Sequence, residues 1–441
     1  MARPVGWLLV LVLVLTACEG GLGSATTTAP TTTVPATSTT PAPTTTTTTP
    51  GPVATPPDLS GLEGLTPEVR EQLEDLIVAA EQVRQLVFLS PPTITVVSNE
   101  ELEARVRSSI EEDIEDFPAD EALYKLLGLL EPDADLLTLL LDLYGDVVGG
   151  FYDGETGEIV VPSHEEGLSQ LQRGTLVHEL VHALTDQHFQ FFPTFRAMID
   201  EERLDQASAY QALLEGDATL AELHWIRNLD QRALGELMAE QFALDQSALQ
   251  SAPQFIRDSL VFPYLTGVAF VEGLYQSGGW DAVNDAYVNL PDLPGSTEQV
   301  INLQDYRRDL PVEVEIPDIT LDGYELERTS TWGELSFRVM FDQVLGPSAG
   351  DEAAEGWGGD SYHQWFDGEN AALLLVYQGD TPDDLEELRE ALVAYQDAAV
   401  AEEDFALVAV RDANLYFVLA DEVDVGETIT GAIGFAPLPE S

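Results

Sequence analysis

The chain has 441 residues, with 79 Asp or Glu against 18 Lys or Arg and a formal net charge of −61 at pH 7. So acidic a surface repels nucleic acid and anionic lipid headgroups, which excludes nucleic acid as a partner. Hydrophobic residues make up 44% of the chain, enough for two or three folded domains, while the charge itself fits a solvated surface as well as a cationic ligand.

Residues 1–17 carry Arg3, an apolar run from Trp7 to Leu15 and then small residues. This is the pattern of a secretory signal, too short to span a bilayer. It ends in Leu15-Thr-Ala-Cys18, and Cys18 is the only cysteine, so no intrachain disulfide can form. The tetrapeptide resembles the lipobox of bacterial lipoproteins. That resemblance implies cleavage before Cys18, a thioether-linked diacylglycerol on its sulfur, and an anchor in the cell membrane on the extracytoplasmic face. Residues 18–57 follow, and from Ser24 they are almost wholly Thr, Pro, Ala and Ser. Such a segment cannot bury a core and is expected to form an extended stalk, reaching up to ~100 Å in polyproline geometry.

Folding is expected from about residue 58. Val69, Leu73, Leu76, Ile77, Ala80 and Val83 recur at helical spacing, Thr93–Ser98 alternates as a strand, and Asn99 is the expected N-cap of an acidic helix. Two short helices are predicted around DEALYKLLGLL and DADLLTLLLDLYG. Two β-rich runs then flank Asp153-Gly-Glu-Thr-Gly157, a hairpin signal. Helices are predicted over the run containing His178, from about Glu201 to Arg227, and onward to about Val288. A Pro-rich linker separates these from a smaller region with a helix at STWGELSFRVMFDQVLG, an irregular start at GWGGDSYHQWF, a buried strand at AALLLVYQ, a capped helix and a strand pair.

The chemistry concentrates in TLVHELVHALTDQHF, which holds three of the six histidines. His178, Glu179 and His182 form H-E-x-x-H. Residues four apart on a helix differ by about 40° in azimuth, so both imidazoles can chelate one Zn²⁺ while Glu179 acts on water at the metal. Two residues compete as the third ligand. His188 matches metzincin spacing, but Thr185 stands where that pattern has Gly, and an unbroken helix turns His188 about 120° away from His182. Glu215 lies on the next long helix, on a stripe with Ser208, Ala212, Thr219 and Glu222, where Gly216 and Ala218 allow close packing. Glu215 is the better candidate.

H-E-x-x-H followed by Glu215-Gly216-Asp217-Ala218 resembles the gluzincin branch of zinc metallopeptidases. With GFYDGETGEIVV and GWGGD, the chain is similar to a group of bacterial, often lipoprotein, predicted metallopeptidases. The resemblance covers most of residues 145–225. It implies His178, His182 and Glu215 as zinc ligands, Glu179 as general base and a peptide or protein as substrate. The fold it implies is α+β: a mainly helical zincin-like domain with a small sheet or hairpin over residues 58–310, then a smaller C-terminal α+β region over 311–441. Asp186, Asp217 and Glu222 are candidates to orient the imidazoles. A strand near Phe151–Tyr152 or Ile159–Val161 could offer an edge to an extended substrate. Tyr264, Tyr362 and His363 are candidate oxyanion donors, His224 falls on the wrong helix face, and His164 is open. The competing function is a binding or scaffolding lipoprotein that holds zinc structurally.

Overall fold

The computed structural model describes residues 65–111, 117–145, 149–162, 167–244, 246–288 and 292–435. The signal, Cys18, the stalk and His164 lie outside the described residues. No helix among the described residues is long and apolar enough to cross a membrane.

The fold is mixed α+β. Helix α1 (Pro67–Arg84) starts at Thr66, whose hydroxyl accepts from Val69 N at 3.2 Å. Val69, Leu73, Leu76, Ile77 and Ala80 are buried as the periodicity predicts, while Val83 is half-buried and Arg84 takes an inward place. β1 (Thr93–Val97) leads to α2 (Asn99–Glu111). Its cap is Ser98, not Asn99: the Ser98 hydroxyl accepts from Glu101 N at 3.1 Å, so Asn99 is already inside the helix. Then come α3 (Phe117–Leu126), α4 (Leu136–Gly145), β2 (Phe151–Asp153) and β3 (Glu158–Pro162). The expected hairpin forms, closed by Gly157 at φ 70°, a conformation glycine adopts without strain. β1 adds to it in parallel, giving the order β1-β3-β2 with β2 at an edge.

A helical layer follows: α5 (Gln170–Phe189), α6 (Phe191–Asp200), α7 (Leu204–Ile226), α8 (Gln231–Phe242), α9 (Ser247–Ser251), α10 (Gln254–Gly278), α11 (Trp280–Val288) and α12 (Thr297–Ile301). The closest packing is between α7 and α10. A Cβ on Gly216 would stand 2.2 Å from Gly267 O, and one on Gly267 2.3 Å from Ala212 O. The two backbones touch, and only glycine allows it.

The remaining elements are β4 (Glu325–Ser330), α13 (Gly333–Leu345), α14 (Ala349–Ala354), β5 (Trp357–Phe366), β6 (Ala371–Gly379), α15 (Pro382–Ala399), β7 (Phe405–Arg411), β8 (Asn414–Ala420) and α16 (Val423–Ala432). The strands form one antiparallel sheet of order β4-β5-β6-β8-β7. GWGGDSYHQWF is not irregular at its start; it is strand β5 almost from its first residue, with a bulge between Trp357 and Gly359. Both faces of the sheet are buried, with period two. Leu373, Leu375 and Tyr377 of β6 enter one core, and Ala372, Leu374 and Val376 enter another. The first of these cores also contains Phe117, Leu123 and Leu126 of α3 and Leu136 and Leu143 of α4, so it draws on both sides of the linker near residue 310.

Candidate metal centre

Helix α5 opens with a capping box: Ser169 Oγ accepts from Gln172 N at 3.3 Å and Gln172 Oε1 accepts from Ser169 N at 2.9 Å. Every residue from Gly174 to Thr185 is buried, so this is a core helix flanked on all sides, not an amphipathic surface helix. Helix α7 crosses it, and Gly174 allows the approach, because a Cβ there would stand 2.8 Å from Glu222 Oε1.

At this crossing His178, His182 and Glu215 converge. His178 Nε2 lies 3.1 Å and His182 Nε2 3.4 Å from the same oxygen, Glu215 Oε2. One candidate ligand atom from each of the three lies within 4.8 Å of the others. Glu179 is fully buried beside them, and its Oε2 accepts a hydrogen bond from Tyr152 N at 2.8 Å. The Tyr152 hydroxyl donates to Asp186 Oδ2 at 2.7 Å, so one residue of β2 is tied to α5 at both its backbone and its ring.

Burial disfavours a charged imidazole at both histidines. At His178 burial is outweighed by the facing carboxylates of Glu215 and Glu222, which raise the pKa to about 10; at His182 burial prevails and lowers it. Burial alone would raise Glu215, but the facing imidazoles reverse this and hold it at about 2. Burial pushes Glu179 well above the ordinary carboxylate range. The cluster thus pairs a charged His178 with an ionised Glu215 beside a neutral His182.

The donor set fits a metal on a separate ground. Each of the four residues leaves one buried polar atom without a well-formed hydrogen bond among the described residues: His178 Nδ1, which has only Glu222 at 3.5 Å, His182 Nε2, which has only Glu215 at 3.4 Å, Glu179 Oε1 and Glu215 Oε1. Buried polar atoms are almost always satisfied, and four orphans in one place call for an explanation. Two imidazoles and one carboxylate are a three-ligand set suited to zinc.

The other sequence candidates separate clearly. His188 points away, with its Nε2 2.8 Å from Val87 O. The helix does not break at Thr185, whose hydroxyl bonds back to Val181 O and His182 O, and α5 runs on to Phe189. Among the orienting candidates, Glu222 faces the site, with Oε2 3.5 Å from His178 Nδ1. Asp186 instead holds Tyr152 and Phe192 N, and Asp217 pairs with the buried Arg84 at 2.6 Å and accepts from Tyr287 at 2.9 Å. Tyr264 comes to the site, its ring 6.3 Å from that of His178. Tyr362 packs on Trp332, and His363 bonds Thr329 at 2.8 Å; both belong to β5 of the C-terminal sheet. His224 packs on Tyr275 and Trp280. Of the two possible edge strands, β2 is at the edge and β3 is interior. No spacing or motif points to Tyr152 N as the partner of Glu179; only the pairing of hairpin and helix brings that amide there.

Residues 322–430 match the family model of a domain of unknown function, DUF8575. No curated protein and no solved structure matches the chain. The DUF8575 region runs from just before β4 into α16 and holds none of His178, Glu179, His182 or Glu215. It meets the helical layer that carries these residues through α13, which packs on α10 and α12.

Proposed function

We propose that the protein is a zinc-dependent peptidase of zincin-like, gluzincin type, tethered outside the membrane by lipid on Cys18. The observation that carries this reading is the convergence of His178, His182 and Glu215 on one point, with the Glu179 carboxylate beside them. Zinc held by these three would supply Lewis acidity, polarising a carbonyl and acidifying a water. The chain's own residues supply the rest. Tyr152 N fixes Glu179 Oε2, leaving the unbonded Oε1 to take a proton from the attacking water and return it to the leaving amine. Glu222 orients His178 through Nδ1. Tyr264 is the candidate donor to the developing oxyanion, and an extended peptide adding to the β2 edge would run beside Glu179.

A second reading, a lipoprotein that keeps zinc structurally, has its own support: all four residues are at most 1% exposed. The two readings diverge in one set of measurements. As a peptidase, the protein binds one zinc and cleaves members of a broad peptide library. Glu179→Gln keeps the zinc and loses cleavage, Glu215→Ala loses the zinc, His188→Ala keeps it, and Cys18→Ser releases the protein from membranes. Zinc binding without cleavage by the wild type favours the structural reading, and zinc loss in His188→Ala with retention in Glu215→Ala overturns the ligand assignment.

A further inference from the structure

A second group of potential ligands lies away from the histidines. Glu298 on α12, Asp309 in the segment after it, and Asp380 between β6 and α15 each offer a carboxylate oxygen, and these atoms lie within 4.8 Å of one another. Clustered carboxylates are common on so acidic a surface, but Glu298 is not a surface group. It is 5% exposed, and its carboxylate has no hydrogen-bond or ion-pair partner among the described residues. The groups acting on it most strongly are Glu334, Asp380, Asp309 and Asp305, all negative. The guanidinium groups nearby are engaged elsewhere: Arg338 pairs with Glu334 and Asp351, and Arg307 with Asp292. Arg308 acts on Asp305. A carboxylate on a largely buried side chain, without a partner and facing two other carboxylates, gains most when a cation joins it.

The chemistry of the set selects the cation. All three donors are carboxylate oxygens, with no histidine or thiol, so the site is hard. They come from three separate segments and include one exposed aspartate, an adaptable arrangement that suits the larger coordination sphere of calcium better than the strict octahedron of magnesium. Gln299 braces the site: its Oε1 accepts from Gly295 N at 2.9 Å while its Nε2 donates to Asp309 O, which pins the Asp309 segment to α12.

We propose that Glu298, Asp309 and Asp380 form a calcium site that clamps the DUF8575 region onto the helical layer carrying Glu215. Asp380 belongs to that region, and Glu298 sits on α12, which packs against both α7 and α13. The clamp is independent of whether the histidine site is catalytic.

The test is calcium titration of the full chain by calorimetry and by thermal melting, with sodium and magnesium matched for ionic strength. The expected result is saturable binding of one calcium per chain, with a melting temperature that rises as the site fills. Asp380→Asn and Glu298→Gln weaken binding at least tenfold. A control lacking the exposed Glu387 and Glu390 as glutamines binds calcium as the wild type does. No stoichiometric binding in the wild type, an equal rise with magnesium or sodium, or unaltered binding in Asp380→Asn would each overturn the proposal.

Discussion

Replacing Gly216 by alanine tests how the Glu215 helix is held. The new Cβ would stand 2.2 Å from Gly267 O, 2.4 Å from Gly267 C and 2.9 Å from Val268 N. All three are backbone atoms, so no rotamer change relieves the contact. To move the closest from 2.2 Å to the 3.4 Å of ordinary contact, α7 and α10 must part by about 1.2 Å. Overpacking of this kind costs about 1–3 kcal/mol, and the backbone-on-backbone contact places it at the upper end. Alanine recovers about 1 kcal/mol through its helix propensity. The expected net loss is therefore about 2 kcal/mol, and under the proposed ligand assignment zinc should bind more weakly because Glu215 moves with the helix. Gly235 provides the control. It is exposed on α8, and a Cβ there meets nothing within 4 Å, so Gly235→Ala should stabilise by up to about 1 kcal/mol. Urea unfolding followed by circular dichroism measures both variants. If Gly216→Ala is as stable as the wild type while Gly235→Ala gains as expected, the contact between α7 and α10 is not the one described.

The buried Arg84–Asp217 pair makes a second prediction. Arg84 is 0% exposed and stacks 4.4 Å over Trp280, so Arg84→Met strands an unpaired Asp217 and should cost about 3–5 kcal/mol in urea unfolding, part of it restored by adding Asp217→Asn. A third concerns pH. Burial raises Asp205 from 3.8 to about 7 despite its hydrogen bonds from Thr297, so the folded chain binds this proton more tightly than the unfolded chain. Its contribution to stability must then fall as pH rises from about 4 to about 7 and stay level above. Asp205→Asn should flatten that part of the stability profile, and an unchanged slope between pH 5 and 7 would count against the assignment.

Much of the centre was readable from residue spacing. His178, Glu179 and His182 follow from helix geometry, and Glu215 from a carboxylate set among small residues on the next long helix. Choosing Glu222 over Asp186 and Asp217 was beyond the sequence, because all three are carboxylates at plausible helical positions. The choice depends on the α5–α7 crossing, which Gly174 permits by leaving room for Glu222. The start of β5 misled for a related reason. Its Gly358-Gly359 pair reads as a loop, yet a Cβ on Gly359 would stand 2.3 Å from Val312 O, so the glycines admit a neighbouring chain at a bulge. β4 was missed because Glu325–Ser330 is polar and pairs only at the sheet's rim.

The mixing of early and late segments in one core bears on how the chain is made. Gln364 donates to Ala119 O across 245 positions, Gln343 to Leu129 O across 214, and Tyr395 closes on Leu127 O across 268. Until residues beyond about 330 emerge, the leucine-rich α3 and α4 have only Ala252, Phe255 and Ile256 of the later helical layer to cover them and lack the rest of their core. Contacts so distant in sequence make for slow folding and leave apolar segments open to aggregation meanwhile. A gene fragment cut at the start of the DUF8575 match would expose Phe117, Leu123 and Leu136 on one piece and Leu373, Leu375 and Phe417 on the other. The boundary of the family match is thus not a boundary of folding, and expression of either half alone should yield insoluble protein.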